Sequence, residues 1–152
     1  MRIKMADGDK EARKLAKHYG MLTAGKNEDG HMLALAFSMR SKESIMGISG
    51  GIEEISTPAR PFAAYLREYA GLLPWKDLTP AERRPFSTCA EAHLWLELMG
   101  RAKNPRDYYA ASFTKRGDLS APCKNCEQWV FRTFGQVFTP TLHYANHPKQ
   151  KP

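Results

Sequence analysis

The 152-residue chain is long enough for one compact domain and too short for two, and its 42% hydrophobic and 26% charged residues exclude general disorder. No apolar run reaches the length of a membrane helix and no charged-then-apolar leader opens the sequence, so we expect neither a membrane span nor a signal peptide on this segment. Lys and Arg outnumber Asp and Glu by 23 to 16, and the net charge of +7 favours an acidic partner over a neutral metabolite.

The first half of the sequence predicts a helix, a hairpin and a second helix. Residues 1–8 have the composition of a loose end, and residues 9–19 place apolar side chains at helical spacing, which indicates a basic amphipathic helix. Residues 32–40 and 44–49 are two apolar runs joined by a short link, which predicts an antiparallel hairpin whose first strand is buried on both faces. Residues 60–73 carry large apolar side chains on one face and predict a further helix, followed by a proline-rich loop.

The second half of the sequence alternates between helices and strands. We expect a helix at residues 88–99, a strand at 106–114, a helix from Pro122 to about residue 134 and a last strand at 136–144, followed by a second loose end at 147–152. Alternating strands and helices predict an α/β fold in one domain, with a mixed sheet of four or five strands covered by helices on both faces.

The three cysteines, Cys89, Cys123 and Cys126, are an odd number and do not form a disulfide framework. Cys123 and Cys126 form a Cys-x-x-Cys pair at one predicted helix start, and Cys89 opens another, where the helix dipole favours the thiolate. If the two helix starts meet, three thiolates come together with the carboxylate of Glu91. Three protein ligands leave the fourth position of a zinc ion open to water, which is typical of a catalytic site.

Other interpretations of these residues remain open. An isolated Cys-x-x-Cys pair also occurs in redox motifs and in half of a zinc finger. His93 is the nearest candidate for a fourth, structural ligand, although it joins the cysteines only if its helix begins elsewhere. His143 and His147 have i, i+4 spacing, but their setting next to a proline in the tail favours a solvated pair.

Two short motifs carry a family resemblance: Cys-Ala-Glu at residues 89–91 and Pro-Cys-x-x-Cys at residues 122–126. Together they resemble the signature of the zinc-dependent cytidine-deaminase superfamily, and residues 32–138 are similar to it in element order. The resemblance implies a cytidine-deaminase-like three-layer α/β/α fold, with the helix at residues 60–73 as an insertion before the catalytic helix. It implies one Zn²⁺ per chain and no nucleotide cofactor. The implied zinc ligands are three thiols: Cys89, Cys123 and Cys126.

The same resemblance implies hydrolytic deamination of cytosine to uracil. Glu91 would carry a proton to the ring nitrogen and then to the departing amine. The backbone N–H of Ala90 is a candidate donor to the pyrimidine carbonyl, and the carbonyl groups of Ser120 and Ala121 are candidates to accept from the exocyclic amine. Phe113 is a further candidate for substrate contact.

The sequence favours a polynucleotide over a free nucleoside as substrate. Free-nucleoside cytidine deaminases carry an Asn-x-Glu ribose clamp, and the nearest segment here, residues 51–54, has no Asn. Cations interleaved with aromatic residues are typical of a groove for single-stranded nucleic acid, although the cations also suit a solvated rim. Trp75 and Phe86 are in addition candidates for a wedge that opens a duplex. The candidate nucleic-acid-binding residues are Arg83, Arg84, Arg101, Lys103, Lys115, Arg116, Trp75 and Phe86.

Across about 100 residues the overall pattern is most similar to bacterial polymorphic-toxin deaminases, and among these to domains that deaminate cytosine in single-stranded DNA. The resemblance implies a mutagenic C-terminal toxin domain of a longer secreted protein, delivered into the cytoplasm of a rival bacterium and neutralised by a cognate immunity protein. Three alternatives stay open: a deaminase of double-stranded DNA or RNA, a free-nucleoside cytidine deaminase, and a non-catalytic zinc-stabilised module that binds nucleic acid.

Overall fold

A computed structural model describes residues 5–22, 32–50, 54, 73–75, 77–83, 85–114 and 116–140. These ranges contain four α-helices and five strands, in the order α1 (Met5–Leu22), β1 (Leu33–Phe37), β2 (Ser44–Ile48), α2 (Ala90–Gly100), β3 (Tyr109–Phe113), β4 (Leu119–Ser120), α3 (Lys124–Glu127), α4 (Val130–Thr133) and β5 (Gln136–Phe138). The α/β class and the mixed sheet expected from the sequence are confirmed. None of the described helices combines the length and the hydropathy of a membrane span.

Strand β3 is the centre of the sheet. One of its edges pairs along its whole length with β1, antiparallel, and β1 in turn pairs with β2 to complete the predicted hairpin. The other edge is shared by two short strands: β5 runs parallel to residues 109–111, and β4 runs antiparallel to residues 112–113. Because β4 occupies the end of β3 and leads directly into the second cysteine motif, the sheet places that motif beside the first turn of α2.

The two faces of the sheet are covered by different helices. Every residue of β1 is buried, as the continuous apolar run predicts. Ala34 and Ala36 face the hydrophobic cluster that contains α2, whereas Leu33, Leu35 and Phe37 face the cluster that contains α1. Helices therefore lie on both sides of one sheet, with α2 and the short helices α3 and α4 on the same side.

Helix α2 lies very close to the backbone of β2. Residues 90–98 of this helix are all buried. A Cβ atom on Gly47 would lie 2.5 Å from the backbone nitrogen of Leu94 and 2.6 Å from the carbonyl oxygen of Ala90. Only glycine permits this approach, so Gly47 fixes how deeply the first turns of α2 sit on the sheet.

Several predicted boundaries are wrong. The strand expected at residues 106–114 begins at Tyr109, because Pro105–Asp107 is a short 3-10 helix, and the strand expected at 136–144 ends at Phe138. Helix α1 begins at Met5, so residues 5–8 are helical and not a loose end; Gly8 packs against the ring of Phe138. The helix expected from Pro122 to residue 134 is two short helices, because the chain leaves helical geometry at Trp129, whose φ is −134°. The two-residue strand β4 lies where the sequence indicated a turn and loop. The expected helix at residues 60–73, apart from Leu73, and the tail at 147–152 lie outside the described residues.

Candidate metal centre

Two of the cysteines are the N-cap residues of helices, as their positions in the sequence suggest. Cys89 has an extended backbone, with φ −75° and ψ 149°, directly before α2. Cys123 is extended before α3, and its sulfur accepts a hydrogen bond from the backbone N–H of Cys126 at 3.4 Å. Cys126 lies one turn further along α3 and is completely buried. The N-terminus of α2 also contributes a positive potential at Cys89.

The three thiols and Glu91 form one compact cluster. The Sγ atoms of Cys89, Cys123 and Cys126 and a carboxylate oxygen of Glu91 all lie within 4.8 Å of one another, so the four groups can hold a metal ion. The Sγ atoms of Cys89 and Cys123 are 3.6 Å apart. Two sulfurs bound to one tetrahedral zinc at ordinary Zn–S lengths are about 3.8 Å apart, so the donor set and the spacing fit zinc.

The protonation state of the buried thiols depends on whether a cation is bound. The hydrogen bond with Cys123 raises the pKa of Cys89 to about 12, and burial adds to the increase. Burial also raises the pKa of Cys126 well above its usual value. Both thiols therefore keep their protons at neutral pH when no cation is bound. A metal ion must displace these protons to bind the sulfurs as thiolates.

Glu91 is buried beside the thiols, and a residue that the sequence analysis did not identify contacts it. Burial raises the pKa of the Glu91 carboxyl, and the hydrogen bond from Ser112 partly opposes the increase. The Ser112 hydroxyl donates to Oε1 of Glu91 at 2.5 Å. Ser112 lies on β3, on the face covered by α2, and its side chain is itself buried. The available signal was one serine among the Tyr, Ala and Phe residues of that strand.

A cavity of about 190 Å³ opens beside the cluster. Its lining residues are Met32, Ser49, Cys89, Ala90, Glu91, Ser120, Ala121 and Cys123. The three residues proposed from the sequence for backbone contacts, Ala90, Ser120 and Ala121, thus line the same cavity as Cys89 and Cys123. Met32 and Ser49 were missed. They close the open end of the hairpin, where the N–H of Met32 donates to the Ser49 hydroxyl at 2.8 Å.

Phe113 does not contribute to this cavity. Its side chain is completely buried in the cluster that packs against α1. Successive residues of a strand point to opposite faces, so Ser112 reaches Glu91 while Phe113 points away. The prediction that Phe113 contacts the substrate is therefore corrected: it is a core residue on the other face of the sheet.

Trp75 and Phe86 are also core residues. They are only 8% and 7% exposed and belong to the cluster around α2. The Trp75 ring centroid is 5.5 Å from that of Trp95 and 5.1 Å from that of Trp129. The proline-rich loop folds these aromatic rings inward, so in this structure neither can stack on a base or wedge open a duplex.

The cations expected to line a groove are dispersed. Arg101 and Lys103 follow the C-terminal end of α2, about 16 Å from the end that carries Cys89, and they do not line the cavity. They pair instead with glutamates: Arg101 with Glu97 at 2.7 Å, and Lys103 with Glu43 at 3.8 Å. Of the other predicted cations, Arg83 and Arg116 are exposed, whereas Arg84 and Lys115 lie outside the described residues.

His93 does not join the metal cluster. It is buried, its Nδ1 forms a 2.5 Å hydrogen bond with the carbonyl oxygen of Ile48, and burial lowers the pKa of its ring. The ring therefore links α2 to the end of β2. His143 and His147 lie outside the described residues.

Asn125, between the two cysteines of α3, connects the cluster to the loop before α2. Its side chain is completely buried, and its Oδ1 accepts hydrogen bonds from the backbone N–H groups of Ala81 at 2.6 Å and Glu82 at 3.1 Å. Gln128 adds a hydrogen bond of 3.1 Å from its Nε2 to the carbonyl of Thr79. The turn that holds two thiols thus also fixes residues 79–82.

The described residues bring three thiols and one carboxylate into one cluster, with a hydroxyl on the carboxylate, and two of the thiols and the carboxylate line a single cavity. Comparisons of the chain with protein-family models, with curated proteins and with solved structures gave no match.

Proposed function

We propose that this protein is a zinc-dependent deaminase that converts cytosine to uracil in single-stranded DNA. The position of Glu91 is the observation that carries the proposal. Its carboxylate lies within 4.8 Å of three thiol sulfurs, and Glu91 lines the same cavity as Cys89 and Cys123. A zinc ion that only stabilises the fold does not need a buried acid at a cavity, whereas hydrolytic deamination needs a proton carrier there.

Cys89, Cys123 and Cys126 would hold the zinc ion. Three thiolates leave one position of a tetrahedral ion for a water molecule, and the cavity lies beside the cluster. When bound, zinc lowers the pKa of that water, so that hydroxide is available near neutral pH. The positive end of α2 offsets part of the negative charge of the three thiolates.

Glu91 moves the protons in the reaction that we propose. Water and cytosine give uracil and ammonia, so one proton must reach the ring nitrogen and another the departing amine. Burial raises the pKa of Glu91, which enables the carboxyl to keep a proton between the two transfers. The hydrogen bond from Ser112 fixes one carboxylate oxygen and thereby the direction of the acid.

The other walls of the cavity suit a flat base. Ala90 is the first residue of α2, where a helix offers an N–H group with no acceptor inside the helix, and it can donate to the pyrimidine carbonyl. The carbonyl groups of Ser120 and Ala121 lie across the same cavity and can accept from the exocyclic amine. Small side chains at all three positions leave the space to the base.

A single strand suits this site better than a duplex. The target base must leave its stack to enter the cavity, and unpairing adds a cost of a few kcal/mol that a single strand avoids. Trp75 and Phe86, the two residues that the sequence suggested as a wedge to open a duplex, are both buried. The net charge of +7 favours a polyanion over a neutral nucleoside.

The family resemblance extends this proposal to the biological setting. In this view the chain is the toxin domain of a longer secreted protein that mutates the DNA of a recipient bacterium, and a cognate immunity protein blocks it. Production of the domain in bacteria should then raise the frequency of C-to-T changes, and the variant Glu91→Gln should not.

One set of assays tests the activity. The zinc-loaded protein is incubated with cytidine, single-stranded DNA, duplex DNA and RNA, and uracil is measured in each. We expect uracil in single-stranded DNA and, in Glu91→Gln, a loss of at least about 100-fold with one zinc per chain retained. Glu97→Gln, which changes the other buried glutamate of α2, is the matched control and should stay active.

The other outcomes assign the alternatives. Conversion of cytidine alone would make the protein a free-nucleoside enzyme, and conversion of duplex DNA or RNA in preference would change the substrate class. Bound zinc with no conversion of any substrate, or full activity in Glu91→Gln, would overturn the deaminase proposal.

A further inference from the structure

Helix α1 presents a row of four basic side chains to solvent, with the exposed Asp7 beside its N-terminal end. We call this row the α1 stripe, and its members are the exposed residues Lys10, Arg13, Lys14 and Lys17. At 3.6 residues per turn these four side chains fall within an arc of about 100°. The opposite side of the helix carries Ala12 and Ala16, which are completely buried against the sheet. The stripe is therefore held in place by a packed helix.

The α1 stripe and the cavity lie on opposite faces of the sheet, and the end of the stripe at Lys17 approaches the rim of the cavity around the β4 edge. The turn between β3 and β4 packs on α1, where a Cβ atom on Gly117 would lie 2.8 Å from Cα of Lys17. Arg116, next to this glycine, is exposed and extends the positive surface. From Gly117 the chain runs through β4 to Ser120, which lines the cavity. Three residues span at most about 11 Å, a distance that about three nucleotides of one strand cover at duplex spacing.

We infer that the α1 stripe, together with Arg116, binds the phosphate backbone of the polynucleotide whose target base enters the cavity. The inference rests on the proposed function, because it assigns the surface that holds the substrate of that reaction. Lys and Arg contacts to phosphates position a strand without reading its sequence, and the release of counterions supplies the affinity. The stripe is a surface that the sequence analysis did not identify, and of the cations named there that the structure describes, only Arg116 adjoins it.

The chemistry of the stripe favours nucleic acid over a protein or a bilayer. Lysine is depleted in protein interfaces, whose energy comes mainly from buried anchors, and three of the four stripe residues are lysines, with one exposed arginine and no aromatic residue. A basic amphipathic helix binds membranes by inserting its apolar face. In α1 that face, with Ala12 and Ala16, is already buried against the sheet.

The test measures binding without turnover. In the Glu91→Gln protein, the triple change Lys10→Gln, Lys14→Gln and Lys17→Gln is compared with its parent for affinity to a short single-stranded DNA oligonucleotide over a range of salt concentrations. We expect the dissociation constant to rise about tenfold or more at low salt. The slope of log K against log salt should fall by about 2, since each lost phosphate contact removes about 0.7.

A matched control removes three other cations. Arg40→Gln, Lys42→Gln and Arg132→Gln, all exposed and outside the stripe, make the same change in net charge and should raise the dissociation constant by about twofold or less. Equal losses of DNA affinity in the two triple variants would overturn the inference. Unchanged affinity in the stripe variant would also overturn it and would favour an acidic protein as the partner of this surface. Glutamine keeps the helix propensity of lysine, and melting temperatures verify that both variants fold.

The two proposals can fail separately. DNA binding that depends on the stripe, in a protein that deaminates no substrate, would refute the proposed function and leave a DNA-binding face. Deamination of single-stranded DNA by a protein whose stripe variant keeps full affinity would refute only the assignment of the surface.

Discussion

Ser112 donates a 2.5 Å hydrogen bond to Glu91, across the contact between the central strand of the sheet and the first turn of α2. Both side chains are buried. The bond lowers the pKa of the Glu91 carboxyl while burial raises it, so Ser112 affects both the direction of the acid and its affinity for a proton. Ser112 on β3 thus adjusts the pKa and the orientation of Glu91 on α2, the residue to which we assign proton transfer.

Replacement of this hydroxyl should weaken catalysis without removing the metal. In Ser112→Ala the pKa of Glu91 rises further and the carboxylate loses its fixed orientation. We expect kcat for uracil formation to fall about 10- to 100-fold, as for other outer partners of metal sites. Zinc content, measured by atomic absorption, should stay at one per chain, and Ser112→Thr should restore part of the activity. Full activity in Ser112→Ala would show that Glu91 needs no partner.

A methyl group at position 47 should lift helix α2 from the sheet. The Cβ atom of Gly47→Ala meets backbone atoms of Ala90 and Leu94 at 2.6 and 2.5 Å, and backbone cannot rotate out of the way. We expect a loss of about 1–3 kcal/mol in the free energy of unfolding, measured with denaturant, together with weaker zinc binding. Gly100→Ala, at the last residue of α2, should change stability by less than about 1 kcal/mol. Equal stability of the two variants would contradict the close contact.

Zinc affinity should fall steeply as the pH is lowered. The pKa of Cys89 is raised to about 12 and that of Cys126 lies well above its usual value, so below these values both thiols hold protons in the apoprotein. Binding releases at least these two protons, and affinity should therefore increase at least about 100-fold per pH unit between acidic and neutral pH. Competition with a chromogenic chelator at several pH values measures the slope. A slope near zero would mean that the ion binds without the thiolates.

Removal of the Asn125 side chain should loosen the loop before α2. Asn125→Ala leaves the backbone N–H groups of Ala81 and Glu82 without their side-chain acceptor, and we expect a cost of about 1–3 kcal/mol in unfolding free energy. Hydrogen exchange at these two amides should accelerate. The control Gln128→Ala removes a more exposed hydrogen bond to Thr79 and should cost less. Unchanged exchange in Asn125→Ala would show that other contacts fix the loop.

The sequence was most informative where chemistry is encoded locally. The thiols and the acid occur in two short motifs at helix starts, and helix geometry brings Cys123 and Cys126 to one side of a single turn. The hairpin and the burial of β1 on both faces follow from continuous apolar runs. The distance of Arg101 from the site also follows from the sequence, since it equals the number of residues in the predicted helix multiplied by the rise per residue.

Contacts between elements that are far apart in the sequence could not be predicted from local sequence patterns. The partnership of Ser112 and Glu91 depends on where α2 crosses β3, which no local pattern specifies. The burial of the Trp75 side chain could not be predicted either, because a proline-rich loop has no hydrophobic periodicity that shows which side chains face the core. The break at Trp129 results from tertiary packing, since its indole fills the space beside Trp75 and Phe134.

The metal cluster is assembled from parts that have little order by themselves. Helix α3 has four residues, too few to be stable in isolation, and Cys89 lies 34 residues before Cys123 in the chain. An unfolded chain offers a metal ion only the adjacent pair, and the third thiol arrives once α2 has docked on the sheet. Metal binding by the complete cluster is therefore coupled to folding, and a chain that is still being synthesised, or is threaded in extended form through a narrow channel, has no complete cluster until it has folded.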